Sequence, residues 1–180
     1  PLLRGAWSRI ALAPVEIDLY RYEYGSGDGL ALLPYGSPDP WLTVRLALAA
    51  PDAMGPDRGE VLDRIRKLPS TLRGLEIATV AALAATGAPV LADLNEIGAL
   101  PDLSPTERIY LALGYASLGD DASALEIERA LLGEYGERLG PWVRLRVGAN
   151  LDEILEATSL LGLVAASLGD PLANGMADYV

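Results

Sequence analysis

Apolar and polar positions alternate with two different periods along this chain, and the period changes near residue 60. Upstream, Val15, Ile17 and Leu19 alternate with Glu16, Asp18 and Tyr20, and Leu42, Val44, Leu46 and Leu48 alternate with Trp41, Thr43, Arg45 and Ala47. Period two is the mark of a half-buried strand. Between these runs, GSGDG at 25–29 and PYGSPDP at 34–40 supply turn residues, several of which tolerate positive φ. Residues 1–50 are therefore predicted to form a small antiparallel β segment. So few strands are unstable alone, and the segment must pack on the rest of the chain or be the end of a sandwich domain.

Residues 51–70 read as a linker with a short amphipathic helix at 60–68, where Val61, Leu62, Ile65 and Leu68 share one side. Pro69-Ser70 ends it. From residue 71 to 180 two kinds of helix alternate. Residues 74–86, 109–118 and 157–168 are apolar almost all round, so they are predicted to be inner helices covered on most sides. They are too short, and too rich in Gly, Ser and Thr, to span a bilayer. Residues 122–135 are amphipathic: Ala124, Ile127, Leu131 and Tyr135 follow helical spacing, and Glu126, Glu128, Arg129 and Glu134 are expected mostly elsewhere on the surface. Val143, Leu145 and Val147 alternate with Trp142, Arg144 and Arg146 as in a short strand.

The segment ASLGD occurs twice, at 116–120 and 166–170, each time between an apolar helix and a new one. Gly119 and Gly169 suit the left-handed residue that closes a helix, and Asp120 and Asp170 can cap the next. Gly87-Ala88-Pro89 is a looser version of the same corner, giving intervals of 32 and 50 residues between the three glycines. Recurrence of this kind marks stacked helical units. Ser104-Pro105-Thr106-Glu107 has the form of a capping box with proline at the first helical position, and Asn150 with Glu153 repeats the spacing. The predicted fold is mainly α: stacked αα-hairpins, a partial α/α toroid or solenoid, preceded by the small antiparallel β segment. Leu111, Leu113, Tyr115, Leu160, Leu161 and Val164 are assigned to its core.

Composition changes the picture chiefly by what it excludes. The chain has no Cys and no His, with 25 acidic against 14 basic side chains and a net charge of −11. Thiolate chemistry, cysteine-ligated zinc and the commonest general base are absent from the repertoire. Negative charge of this size repels phosphate backbones, so nucleic acid is not an expected partner. Residues 93–137 carry ten carboxylates against Arg108 and Arg129, a stretch read as a solvated acidic face rather than a cation site.

Few residues are candidates for chemistry. Asp152, Glu153 and Glu156 cluster at the start of the third inner helix, where α/α-barrel glycosidases place an acid and a base or nucleophile; the helix dipole alone also explains carboxylates there. Asp93-Leu94-Asn95-Glu96-Ile97-Gly98 imitates the start of a calcium loop, but Ile97 and Ser104 stand at two ligand positions. No metal or cofactor is expected. Glu76, on an apolar helix, reads as a paired or snorkelling residue. Tyr20, Tyr22, Tyr24, Tyr35 and Trp41 crowd the β segment, as a carbohydrate platform or, more simply, as a packing face. The glycine loop at 25–29 lacks the strand and helix context of a nucleotide site.

Residues 110–132, YLALGYASLGDDASALEIERALL, resemble a tetratricopeptide unit: Leu111, Ala112, Tyr115, Gly119 and Ala124 fall at favoured spacings, while Glu128 and Leu131 replace an aromatic and a small residue. Residues 71–180, and LEATSLLGLVAASLGDPLANGMADYV at 155–180 above all, are similar to the α/α-toroid helical region of bacterial α2-macroglobulin-like surface proteins. In that family β-sandwich domains flank the toroid. Its thioester needs a cysteine that this chain lacks, so covalent capture of proteases is not implied. The resemblance implies a non-catalytic structural or protein-binding module of a larger secreted or cell-surface protein, docking a protein partner or neighbouring domains of its own chain. The alternatives are a fragment of a carboxylate-based α/α-barrel carbohydrate enzyme and a cytosolic tetratricopeptide-like scaffold.

Overall fold

The computed structural model of the chain describes residues 30–31, 37–51, 58–67 and 72–180. The strand expected at 15–20, the glycine loop at 25–29, and Tyr20, Tyr22, Tyr24 and Tyr35 lie outside the described residues. The strand expected at 41–48 is overturned, because these residues form helix α1 (Pro40–Ala49). The Asp39 carboxylate accepts from the backbone N–H groups of Trp41 and Leu42 at 2.9 and 3.2 Å, and Pro40 occupies the first turn, where no N–H is required. Thr43, Val44, Ala47 and Leu48 are buried. Their i, i+1, i+4, i+5 spacing is helical; period two counts the large apolar residues and ignores the small ones that in fact face the core.

Helix α2 (Arg58–Lys67) buries Leu62 and Ile65. The remaining helices are α3 (Arg73–Ala85), α4 (Leu91–Gly98), α5 (Pro105–Leu118), α6 (Asp121–Tyr135), α7 (Leu151–Leu168) and α8 (Leu172–Ala177), with a two-stranded sheet between α6 and α7. Helices α3, α5 and α7 lie side by side as an inner row. Outside it, α4 packs on α3 and α5, and α6 on α5 and α7, while α1 and α2 cover the free side of α3. One apolar cluster runs through all of this, from Val44 to Met176.

The three glycine corners share one geometry. Gly87, Gly119 and Gly169 have φ of 90°, 80° and 72°. At each, the glycine N–H bonds back three residues and the next N–H bonds back five: Asp120 to the Tyr115 carbonyl at 3.0 Å, Asp170 to Ala165 at 2.8 Å, Ala88 to Leu83 at 3.0 Å. This is the Schellman closure, which satisfies two of the carbonyls orphaned at a helix end and reverses the chain. The capping box at Ser104 forms as expected, with Ser104 Oγ accepting from the Glu107 N–H and the Glu107 carboxylate from the Ser104 N–H. Asp120 caps α6 through the Ser123 N–H.

Leu111, Leu113, Tyr115, Leu161 and Val164 are buried as predicted, but Leu160 is half-buried. Helix α7 hides only Ala157, Thr158, Leu161, Val164 and Ala165. It ends the inner row among the described residues, so α5 covers it from one side and the short α8 and the sheet from another. The predicted strand appears as β2 (Trp142–Leu145), paired antiparallel with β1 (Gly136–Leu139), which sequence reading missed; Leu139 faces Trp142. Gly140, with φ 67°, makes the two-residue turn with Pro141. Val143, Leu145 and Val147 point inward, and the Leu145 N–H donates to the Thr158 hydroxyl of α7 at 3.0 Å.

Candidate functional site

Where α4 ends, the chain crosses to α5 through an exposed connection, and α6 returns alongside. These three segments border an open groove of about 460 Å³. The connection contributes Leu100, Pro101 and Leu103, helix α5 contributes Arg108, Leu111 and Tyr115, and α6 contributes Ser123, Glu126 and Ile127. The walls are braced by polar contacts. The Tyr115 hydroxyl donates to the Leu94 carbonyl at 3.2 Å and lies 3.0 Å from Asn95 Oδ1, across the last turn of α4. Gly98 permits this approach, since a Cβ there would stand 3.0 Å from the Tyr115 oxygen. On the other wall Arg108 bonds Glu134 at 2.9 Å and ties α5 to α6. Leu100 stays 41% exposed. Glu126 is exposed and makes no ion pair with the described residues, which leaves one apolar and one negative feature facing solvent along the groove.

The three predicted carboxylates do not converge. Asp152 is exposed in the first turn of α7. Glu153 turns back onto the preceding loop, where its carboxylate accepts from the Ala149 N–H at 2.7 Å and from the Asn150 side-chain amide at 2.8 Å. Asn150 Oδ1 in turn accepts from the Glu153 N–H at 3.0 Å. The Asn150 half of the expected box is thus formed in register, while the return contact of Glu153 falls one residue early, on the Ala149 N–H. Glu156 reaches across to α1 and pairs with Arg45.

Arg45 lies 5.7 Å from the Trp41 ring centre, and Trp41 packs on Tyr110 with centroids 6.1 Å apart. The Tyr110 hydroxyl is buried here close to Arg45, but among the described residues nothing reaches it in full hydrogen-bond geometry. Burial pushes its pKa up and the Glu156 charge adds to this, while Arg45 opposes both. Trp41 therefore belongs to a helix–helix contact, not to a strand face.

The calcium-loop likeness dissolves as well. Asp93 lies inside α4 and is held by Arg66 of α2 at 2.7 and 3.1 Å. Among the described residues no group of His, Cys, Asp and Glu is placed to hold a metal. Glu76 is exposed on α3.

Much of the acidic stretch is neutralised by cations from outside it. Asp102 and Glu107 share Arg73 at 3.0 and 2.8 Å, and Glu137 pairs with Arg144. The Arg73 hydrogen bond holds the Glu107 carboxyl below its ordinary range, against the effect of burial and with the help of the Ser104 N–H.

Glu128 is the exception that sequence reading placed wrongly. It is fully buried on the inner side of α6 with Ala124 and Leu131, and among the described residues neither carboxylate oxygen has a hydrogen-bond partner. Burial pushes its pKa up to about 7, Asp170 adds to the rise, and Arg129 partly offsets it. Counting from Ala124 by four and from Leu131 back by three marks position 128 as inward; the charge itself hid the signal.

Among the described residues no helix is long and apolar enough to cross a membrane. Comparison with family models, curated proteins and solved structures finds no match.

Proposed function

We propose that this chain is a non-catalytic structural or protein-binding module of a larger secreted or cell-surface protein, built on a helical-repeat scaffold, and that a partner protein or neighbouring domain docks in the α4–α6 groove. The observation that carries this reading is the open groove itself, with Leu100 exposed on one border and, on another, Glu126, which has no ion pair among the described residues. A segment that fits both offers an apolar anchor followed by a lysine or arginine. Such anchors in grooves between packed helices are a recurring mode of peptide capture, and an unpaired rim charge selects partners by sign more than it adds affinity. The location rests on the similarity of residues 71–180 to the toroid of α2-macroglobulin-like surface proteins. The 110–132 hairpin, whose two helices both border the groove, favours the cytosolic tetratricopeptide-like scaffold as the second reading.

The test uses a labelled peptide of alternating Leu and Lys blocks, its Glu-for-Lys counterpart, and the variants Leu100→Asp and Glu126→Lys. Fluorescence anisotropy should show the basic peptide binding, with weakening in both variants and at higher salt, where the Debye length falls below about 8 Å. Equal binding of the acidic peptide, or no loss in either variant, refutes the groove as the docking site. Nucleic acid serves as the negative control, since nothing basic enough to release its counterions is expected here. Cleavage of oligosaccharides that disappears in Glu156→Gln would instead favour the carbohydrate enzyme.

A further inference from the structure

Helix α6 is held to α5 and α7 through an inner stripe in which Ala124 and Leu131 are fully buried. Glu128 interrupts this stripe, equally buried, with neither carboxylate oxygen hydrogen-bonded among the described residues. An ionised carboxylate in such a position loses its hydration and is compensated only in part, by the charge of Arg129, whereas a neutral carboxyl costs far less to bury.

Among the described residues no cation bonds this carboxyl. From the α7–α8 corner the nearby charge is Asp170, of like sign; Arg129, on α6 itself, is exposed. On α5, Glu107 is bound to Arg73, Arg108 to Glu134, and Tyr115 to the end of α4, while Tyr110 packs on Trp41. On α7, Glu153 caps the helix, Glu156 is bound to Arg45, and Asp152 is exposed. On the hairpin, Glu137 and Arg144 bind each other and Arg138 is exposed.

We infer that Glu128 is a proton-dependent latch: its neutral form lets α6 seat against α5 and α7, and its ionisation loosens that helix. The direction follows from linkage. The folded-state pKa is raised above the unfolded one, so the folded chain holds a proton that the unfolded chain has already released. Stability is full below the unfolded pKa and is lost as pH rises through the folded one. With the carboxyl moved from 4.5 to about 7, the folding or opening equilibrium loses about 30-fold between pH 5.5 and 8.5. Because α6 also carries Ser123, Glu126 and Ile127 of the groove, control of docking by this latch rests on the function proposed above. The latch itself requires no partner.

The experiment therefore uses the free chain. Amide hydrogen exchange, corrected for intrinsic rates, is compared at pH 5.5 and 8.5 for the wild type, Glu128→Gln and Glu128→Leu, the last covering the case in which the glutamine variant does not fold. In the wild type the α6 amides should lose about 30-fold in protection at the higher pH, and the α3 amides should lose as much only where they exchange by global unfolding, which exposes Glu128 as well. Both variants should keep α6 protected. A loss in α3 larger than that in α6, no loss in the wild type, or the same loss in a variant as in the wild type overturns the latch. These outcomes are independent of whether any peptide binds the groove.

Discussion

Gly114 provides the sharpest test of how the inner row is packed. It lies in the middle of α5, where a glycine should weaken the helix relative to alanine by about 0.8–1.0 kcal/mol. A Cβ added there would stand 2.7 and 3.2 Å from the two methyl carbons of Leu94 and 3.4 Å from the Ala81 Cα. Leu94 is fully buried and cannot swing out to solvent, and Ala81 belongs to the backbone of α3. Overpacking of this kind costs about 1–3 kcal/mol. Subtracting the propensity gain leaves Gly114→Ala destabilised by about 0–2 kcal/mol. Gly133 is the internal control: it is exposed on α6 with nothing within 4 Å of the added carbon, so Gly133→Ala should stabilise by up to about 0.8–1.0 kcal/mol. The gap between the two variants is then the overpacking cost itself, which for a chain of this size separates their melting temperatures by about 2–12 °C. Thermal unfolding followed by circular dichroism reads it directly. Shortening Leu94 in the Gly114→Ala background should recover about 1–3 kcal/mol relative to additivity, because the clash has been removed. If Gly114→Ala melts at or above Gly133→Ala, the close approach of α3, α4 and α5 is wrong.

Leu161→Ala, at a fully buried site on α7, should cost about 2–5 kcal/mol, and an unchanged melting curve would contradict the assignment of α7 to the inner row. Tyr110→Phe removes a buried hydroxyl that has no full hydrogen bond among the described residues, so stability should stay level or rise by up to about 1 kcal/mol; a clear loss in the melt would reveal a bond to Arg45 or Glu156. Glu107 is depressed in the folded state, so its contribution is present above the unfolded pKa and is lost as pH falls through the folded one. The melting temperature should accordingly drop below about pH 4.5, and Arg73→Gln should flatten that acid limb; an acid limb as steep in the variant as in the wild type would show that Arg73 does not set it.

Legibility differs along the chain for identifiable reasons. The corners are readable because each depends on backbone chemistry within six residues: a glycine at positive φ, a carboxylate or hydroxyl at the next cap, a proline in the first turn. That is why both ASLGD copies fold alike even though the helices they join differ in burial. Helix α1 misleads for the opposite reason. Leu42, Val44, Leu46 and Leu48 satisfy period two, and the decisive residues are the small Thr43 and Ala47 on the core side, together with an Asp39-Pro40 cap that looks like part of a turn. Alternation of large residues does not distinguish strand from helix when small residues fill the intervening core positions.

The candidate site is harder still to read, since it depends on which helices meet. Asp152, Glu153 and Glu156 are adjacent in sequence, but Glu156 is drawn to Arg45, which lies 111 residues away, and Glu153 to its own loop. Tertiary pairing disperses a cluster that helix geometry alone would have kept together. The same logic runs in reverse at Glu128. Its position among Ala124 and Leu131 dictates burial, its charge argues against burial, and only the packed seam shows that position prevails, because holding α6 in place buries two fully covered apolar side chains, while the cost of burying an ionised carboxylate is escaped on the acid side of its raised pKa, where the carboxyl is neutral. A residue whose local pattern and whose chemistry disagree marks a point where stability depends on conditions, and in this chain that point lies on the helix that also borders the groove.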